Sequence, residues 1–109
     1  MKPEPVPAIA YSDREVALLY DVLNPWGASE SFYLDLVMSA GRVLDVGCGT
    51  GSILKRARSD GHAGRLTGID PDVAMLEVAR ERGDIDWHEG RASGIPWDGE
   101  FDLWKFRNM

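Results

Sequence analysis

The sequence predicts an α/β fold built on a parallel sheet, and three observations predict it. Short apolar segments alternate with segments of helical period, the arrangement that joins parallel strands through right-handed crossovers. A glycine cluster follows directly on the first apolar segment. The length, 109 residues, fits one domain with one modest core.

Two helices are expected before the sheet begins. Residues 1–11 hold Pro3, Pro5 and Pro7 and read as an extended or disordered lead-in to a single domain over residues 12–109. Ser12 and Glu15 form a capping box, and Val16, Leu19, Tyr20 and Leu23 recur on one helical face. Asn24-Pro25 ends that helix, because a residue before proline is pushed out of the α region. Ser29 or Ser31 would cap a second helix with Phe32, Tyr33, Leu36 and Val37 inward, ending near Gly41.

The period then shortens. Arg42–Val46 reads as a first strand, followed by Gly47-Cys48-Gly49-Thr50-Gly51. Ser52–Ser59 reads as a helix with Ile53, Leu54 and Ala57 inward and Gly61 as terminator. Leu66–Asp70 is a second strand. Asp70 as cap, Pro71 at the first helical position and Asp72 against the dipole start the next helix, which carries Met75, Val78 and Ala79 inward and closes at Gly83. Ile85–His88 is a third strand, Gly90–Gly99 a loop, and Phe101–Phe106 a fourth strand.

Composition narrows the function classes. At 44% apolar and 28% charged the chain is ordinary globular protein. A net charge of −6 with no basic run argues against nucleic acid as a partner and suits a cationic small molecule. No apolar run approaches the roughly 20 residues of a membrane span, so no membrane is expected. The prolines of the N-terminus break any signal-like stretch. A lone cysteine, Cys48, cannot form an internal disulfide, and a cytoplasmic setting is the expectation.

The segment Val43–Asp70 carries the chemistry. Gly47, Gly49 and Gly51 permit positive φ and remove the Cβ atoms that would keep a ligand from the backbone, at the strand ends where open α/β sheets form their crevice. Asp70 closes the next strand, where a carboxylate can accept both hydrogen bonds of a ribose diol. A dinucleotide fingerprint wants G-x-G-x-x-G, but here the spacing is G-x-G-x-G and the sixth position is Ser52. Asp45 would repel a pyrophosphate and suits a ligand bearing an ammonium and a sulfonium. The pattern favours a cationic, phosphate-free nucleoside over NAD.

These motifs resemble those of the class I S-adenosylmethionine-dependent methyltransferases of small-molecule type. VLDVGCGTG (Val43–Gly51) is similar to that family's first motif, LTGIDPDVAML (Leu66–Leu76) to its second, and GRASGIPWDGEFDLW (Gly90–Trp104) to its adenine loop and fourth strand. The resemblance implies a Rossmann-like sheet of strand order 3-2-1-4, flanked by helices, with S-adenosylmethionine as cofactor and a small molecule as methyl acceptor. It implies that Asp45 and the backbone of Gly47, Cys48, Gly49, Thr50 and Gly51 contact the methionine and ribose. Asp70 would hold the ribose hydroxyls, Pro71 and Asp72 would flank the adenine, and the Ala92 N–H would serve its ring. Arg91 stands where relatives place an acid that accepts from the adenine amino group, and arginine has donors only. Relatives continue through three more strands, so the family's C-terminal half is expected to be absent.

The other candidates read as packing. Cys48 is a small buried filler with no activating base nearby. His62 and His88 lack ligand-like spacing, and no metal is expected. Trp87, Trp97 and Trp104 read as core or loop-packing residues, and Tyr20 and Tyr33 as core. No residue reads as the general base. The competing function is a non-catalytic S-adenosylmethionine-binding or assembly module, homodimeric through an exposed fourth strand.

Overall fold

The structure, a computed structural model, describes residues 12–94 and 99–106; the expectations for residues 1–11, Pro96 and Trp97 lie outside these. Four parallel strands, β1 (Arg42–Val46), β2 (Arg65–Asp70), β3 (Asp86–Glu89) and β4 (Leu103–Phe106), form one sheet ordered β3-β2-β1-β4. The α/β class read from the sequence is the class observed. Among the described residues, four helices accompany the strands: α1 (Asp13–Leu23), α2 (Ala28–Ser39), α3 (Ser52–Ser59) and α4 (Val73–Ala79). None is long and apolar enough to cross a membrane.

The sheet separates its side chains by strand alternation. Val43 lies in register with Leu66 on one side and Leu103 on the other. Val43 and Leu66 are buried with Val37 of α2, Ile53, Leu54 and Ala57 of α3, and Ile85, while Leu103 packs against that cluster. The opposite face gathers Leu44, Val46, Ile69 and Phe101. The α3 positions expected inward are therefore the ones buried.

His62 joins the end of α2 to the turn before β2. Its Nε2 donates to the Ala40 carbonyl at 2.6 Å, and its Nδ1 accepts from the Gly64 N–H at 3.1 Å. The neutral ring with its proton on Nε2 satisfies both contacts, which gives this buried histidine a structural role. Among the described residues, no group of three or more His, Cys, Asp or Glu could hold a metal ion.

Element limits depart from the sequence reading where main-chain partners decide them. β3 runs one residue late, leaving Ile85 in the core ahead of it. β4 starts only at Leu103, because Asp102 is occupied with Arg42: its N–H donates to the Arg42 carbonyl at 2.8 Å and its carboxylate accepts from the Arg42 N–H at 3.0 Å. The α2 cap is Gly27, whose N–H donates to the Glu30 carboxylate at 2.9 Å. Neither Ser29 nor Ser31 caps; Ser31 Oγ accepts from Trp26 Nε1 instead.

The inward face of α1 is the largest correction. Val16, Leu19 and Leu23 were expected inside, yet they are 51%, 42% and 69% exposed, whereas Ala17 is 1% exposed. Arg14, Ala17 and Asp21 share one stripe at i, i+3 and i+7, and that stripe faces the protein. Arg14 pairs with Glu81 beyond α4, the small Ala17 permits close approach, and Asp21 meets the loop after β1. On α2, Val37 is buried and Tyr33 and Leu34 pack against the core, while Phe32 and Leu36 stay exposed.

Trp87 fills a gap that Gly68 leaves. The two are cross-strand partners, and a Cβ on Gly68 would lie 2.6 Å from the indole and 2.9 Å from Cys48 Sγ. The indole N–H donates to the Arg82 carbonyl at 2.9 Å, fixing the ring. Gly68→Ala should therefore destabilise the protein by about 1–3 kcal/mol through overpacking in urea unfolding, and Trp87→Leu should relieve most of that loss; equal stability of Gly68→Ala and wild type would refute the packing role.

The Arg14–Glu81 pair makes the docking of α1 acid-sensitive. Hydrogen bonding to Arg14, then its charge, holds the Glu81 carboxyl below its ordinary 4.5. Such a group stabilises the fold above its unfolded value and loses that contribution as pH falls through the lower folded one. Thermal unfolding followed from pH 7 downward should show a decline below about 4.5 that is smaller in Arg14→Met; identical pH profiles would contradict it.

Candidate functional site

The carboxyl ends of β1, β2 and β3 converge on one turn. Gly47, Gly49 and Gly51 hold φ of 74°, 60° and 79°, left-handed conformations that side-chain-bearing residues rarely adopt. Three such residues in five let the chain leave β1, fold back on itself and enter α3. The N–H groups of Gly47 and Cys48 both donate to the Ile69 carbonyl, at 2.8 and 3.1 Å, and the Gly51 N–H returns to the Cys48 carbonyl at 3.0 Å. A Cβ on Gly51 would collide with the Trp87 ring, so the indole buttresses the turn.

Asp70 organises what surrounds it. Its Oδ2 accepts from the Gly49 N–H at 2.9 Å and its Oδ1 from the Asp72 N–H at 2.8 Å. This 8% exposed carboxylate therefore joins the glycine turn to the entrance of α4 through two charge-assisted bonds. It does not cap α4, as the sequence suggested. Asp72 does so, accepting from the Ala74 and Met75 N–H groups, with Pro71 just ahead of the cap. The Asx turn at Asp70 places the cap two residues later.

The third strand closes the arrangement. Glu89 lies in register with Asp70, and the Gly90 N–H donates to the Asp70 carbonyl at 3.0 Å. Arg91 follows, and Ala92 opens a 3₁₀ turn over Ala92–Gly94. Turn, acid and following loop thus meet at one sheet edge.

From the other side, α1 reaches the turn: Thr50 Oγ1 donates to Asp21 Oδ1 at 2.6 Å. Lys55, one helical turn inside α3, donates from Nζ to the Val78 carbonyl at 3.0 Å. Burial lowers its pKa, and the charges of Glu81 and Asp21 act in the opposite direction.

This fold and turn have counterparts among known proteins. A family model described as a methyltransferase domain matches residues 43–109. The chain belongs to the methyltransferase domain family. Among curated proteins, this methyltransferase domain is 35% identical over 98 residues to a 2-phytyl-1,4-naphtoquinone methyltransferase of Thermosynechococcus vestitus, covering 77% of this chain and 43% of that protein. Over 64 residues it is 47% identical to a ribosomal protein L11 methyltransferase of Burkholderia mallei, covering 56% of this chain and 21% of that one. Among solved structures, DesVI of Streptomyces venezuelae superposes with a TM-score of 0.66 at 28% identity, covering 84% of this chain and 42% of that one. An amino pentose methyltransferase of Micromonospora echinaspora, solved with S-adenosylmethionine bound, superposes at 0.65 with 26% identity, covering 81% and 41%. The chain spans less than half the length of these relatives.

Within the methyltransferase domain, the residues singled out from sequence fall at one edge. Gly47, Cys48, Gly49, Thr50 and Gly51 form the turn, Asp70 binds its main chain, and Pro71, Asp72, Arg91 and Ala92 lie exposed beside it. Asp45, at 1% exposed, is enclosed beneath the turn, in register with Gly68. Cys48 is buried. Asp21 was missed, because its partner is 29 positions away and its own helix pattern placed it on the polar side.

Asp70→Asn should open the turn. An amide keeps one acceptor oxygen and turns a donor toward either the Gly49 or the Asp72 N–H. Loss of about 1–3 kcal/mol is expected by urea unfolding, with faster amide exchange at Gly49; unchanged exchange there would show that the carboxylate does not hold the turn.

Proposed function

We propose that this chain binds S-adenosylmethionine at the glycine turn and is a methyltransferase acting on a small-molecule acceptor. One observation carries the reading: a buried acid at the end of β2 is aimed at the turn's main chain, with its carboxylate on Gly49 and Asp72. Two acceptor positions of that carboxylate are used, and a carboxylate has about four. Those left over suit the vicinal hydroxyls of a ribose. The enclosed Asp45 adds negative charge beneath the turn, which favours an ammonium and a sulfonium and opposes a pyrophosphate. The donor set therefore fits the cofactor named by the relatives.

Each part of the chain then has a task. Gly47, Gly49 and Gly51 present backbone free of Cβ atoms, Asp70 orients the ribose, and Pro71, Asp72, Arg91 and Ala92 border the adenine. Arg91 cannot accept from the adenine amino group, so that contact is lost or moved to another group. The bound cofactor supplies an electrophilic methyl group for in-line displacement. The protein's own contribution is positioning and exclusion of water.

Two relatives are named for small acceptors, a phytyl-bearing naphthoquinone and an amino pentose, and one for a ribosomal protein; the first two support a small molecule without selecting one. A cytoplasmic setting belongs to the same proposal, supported by a sequence that holds one cysteine.

Isothermal titration with S-adenosylmethionine should show saturable binding, weakened by about ten- to a hundredfold in Asp70→Ala, and NAD should give no heat of binding. Binding of NAD in place of S-adenosylmethionine, or an Asp70→Ala variant that binds as wild type does, would overturn the assignment.

A further inference from the structure

The helix α1 is tied to the rest of the protein by two polar anchors. Val16, Leu19, Val22 and Leu23 are exposed, while Ala17 is buried. Arg14 ties the first turn to Glu81 beyond α4. Two turns on, Asp21 meets Thr50 at 2.6 Å. Thr50 is 1% exposed, so its hydroxyl is removed from water and its bond to a carboxylate is of the charge-assisted kind, stronger than a neutral one. Lys55 adds a favourable charge interaction with the same Asp21.

Thr50 stands between Gly49, whose N–H is held by Asp70, and Gly51, where the chain turns into α3. A pull on its side chain acts on the backbone of the turn itself. We propose that Asp21 and Thr50 form a clasp between α1 and the glycine turn, and that both are positioning residues for the cofactor bound there. The inference rests on the cofactor reading above. The clasp fixes the turn's main chain before the ligand arrives, so that less ordering is left to pay at binding. Coupling of this kind is reciprocal: ligand that immobilises the turn also immobilises α1.

The test compares wild type with Asp21→Ala, Thr50→Val, the double variant and Thr50→Ser, by titration with S-adenosylmethionine and by amide hydrogen exchange of α1 in the free protein. Each single truncation should weaken binding by about tenfold. The double variant should bind no more weakly than the singles, because either change breaks the same bond. Thr50→Ser, which keeps the hydroxyl, should bind as wild type does. Amides of residues 16–23 should exchange faster in Asp21→Ala and in Thr50→Val. Effects that multiply in the double variant, or wild-type affinity in Asp21→Ala, would overturn the clasp. If the wild type does not bind the ligand, the cofactor reading fails and, with it, the cofactor-positioning role. Exchange then tests the contact alone: unchanged α1 exchange in Asp21→Ala removes the clasp as well. Should Asp21→Ala not fold, Thr50→Val and Thr50→Ser decide: Thr50→Val should lose about tenfold and Thr50→Ser stay within about twofold of wild type; wild-type affinity in Thr50→Val would overturn the clasp.

Discussion

One buried carboxylate sets the geometry on which the candidate site depends. The Asp70 side chain lies between two backbone N–H groups that belong to different elements, Gly49 in the turn after β1 and Asp72 at the entrance of α4. Neither group has a helix or strand partner at that point, and an unpaired buried donor is costly. By satisfying both, the acid fixes where the turn lies relative to the second helix of the sheet. The Asp70 carbonyl accepts from Gly90, so one residue also locates the loop after β3.

The turn is shaped by the removal of side chains and supported by one large side chain. Left-handed backbone at Gly47, Gly49 and Gly51 lets five residues reverse direction. Trp87 then occupies the space that Gly51 and Gly68 leave, and its indole N–H is anchored on Arg82. Glycine thus serves two ends here: it bends the chain, and it admits an aromatic ring that keeps the bend from collapsing. Cys48 belongs to the same packing, since its sulfur lies against the position a Gly68 side chain would take.

Local features of the sequence were enough to read β1, the glycine turn, the limits of α3 and the position of Asp70, because each is fixed within a few residues by period, glycine spacing or a strand end. Features set by distant partners were not legible. The apolar stripe of α1 pointed inward on the hydrophobic argument, yet Glu81 and Thr50 attract the opposite side of the helix. Asp70 read as a helix cap because aspartate before proline commonly is one; its carboxylate was claimed by Gly49, 21 positions earlier, and Asp72 took the cap. Gly27 displaced two serines as the cap of α2 because the Glu30 carboxylate reaches back to its N–H. The start of β4 was masked by Phe101, which is buried although it precedes the strand.

The central claim is that the turn held by Asp70 receives a positively charged nucleoside. A titration of the isotopically labelled protein with S-adenosylmethionine, followed through backbone amide signals, addresses it residue by residue. The account predicts saturable shifts concentrated at residues 47–51, 70–72 and 90–92, with the His62 and Gly64 signals at the far end of the sheet unmoved. Shifts absent from the glycine turn at saturating ligand, or spread evenly over the chain, would contradict it.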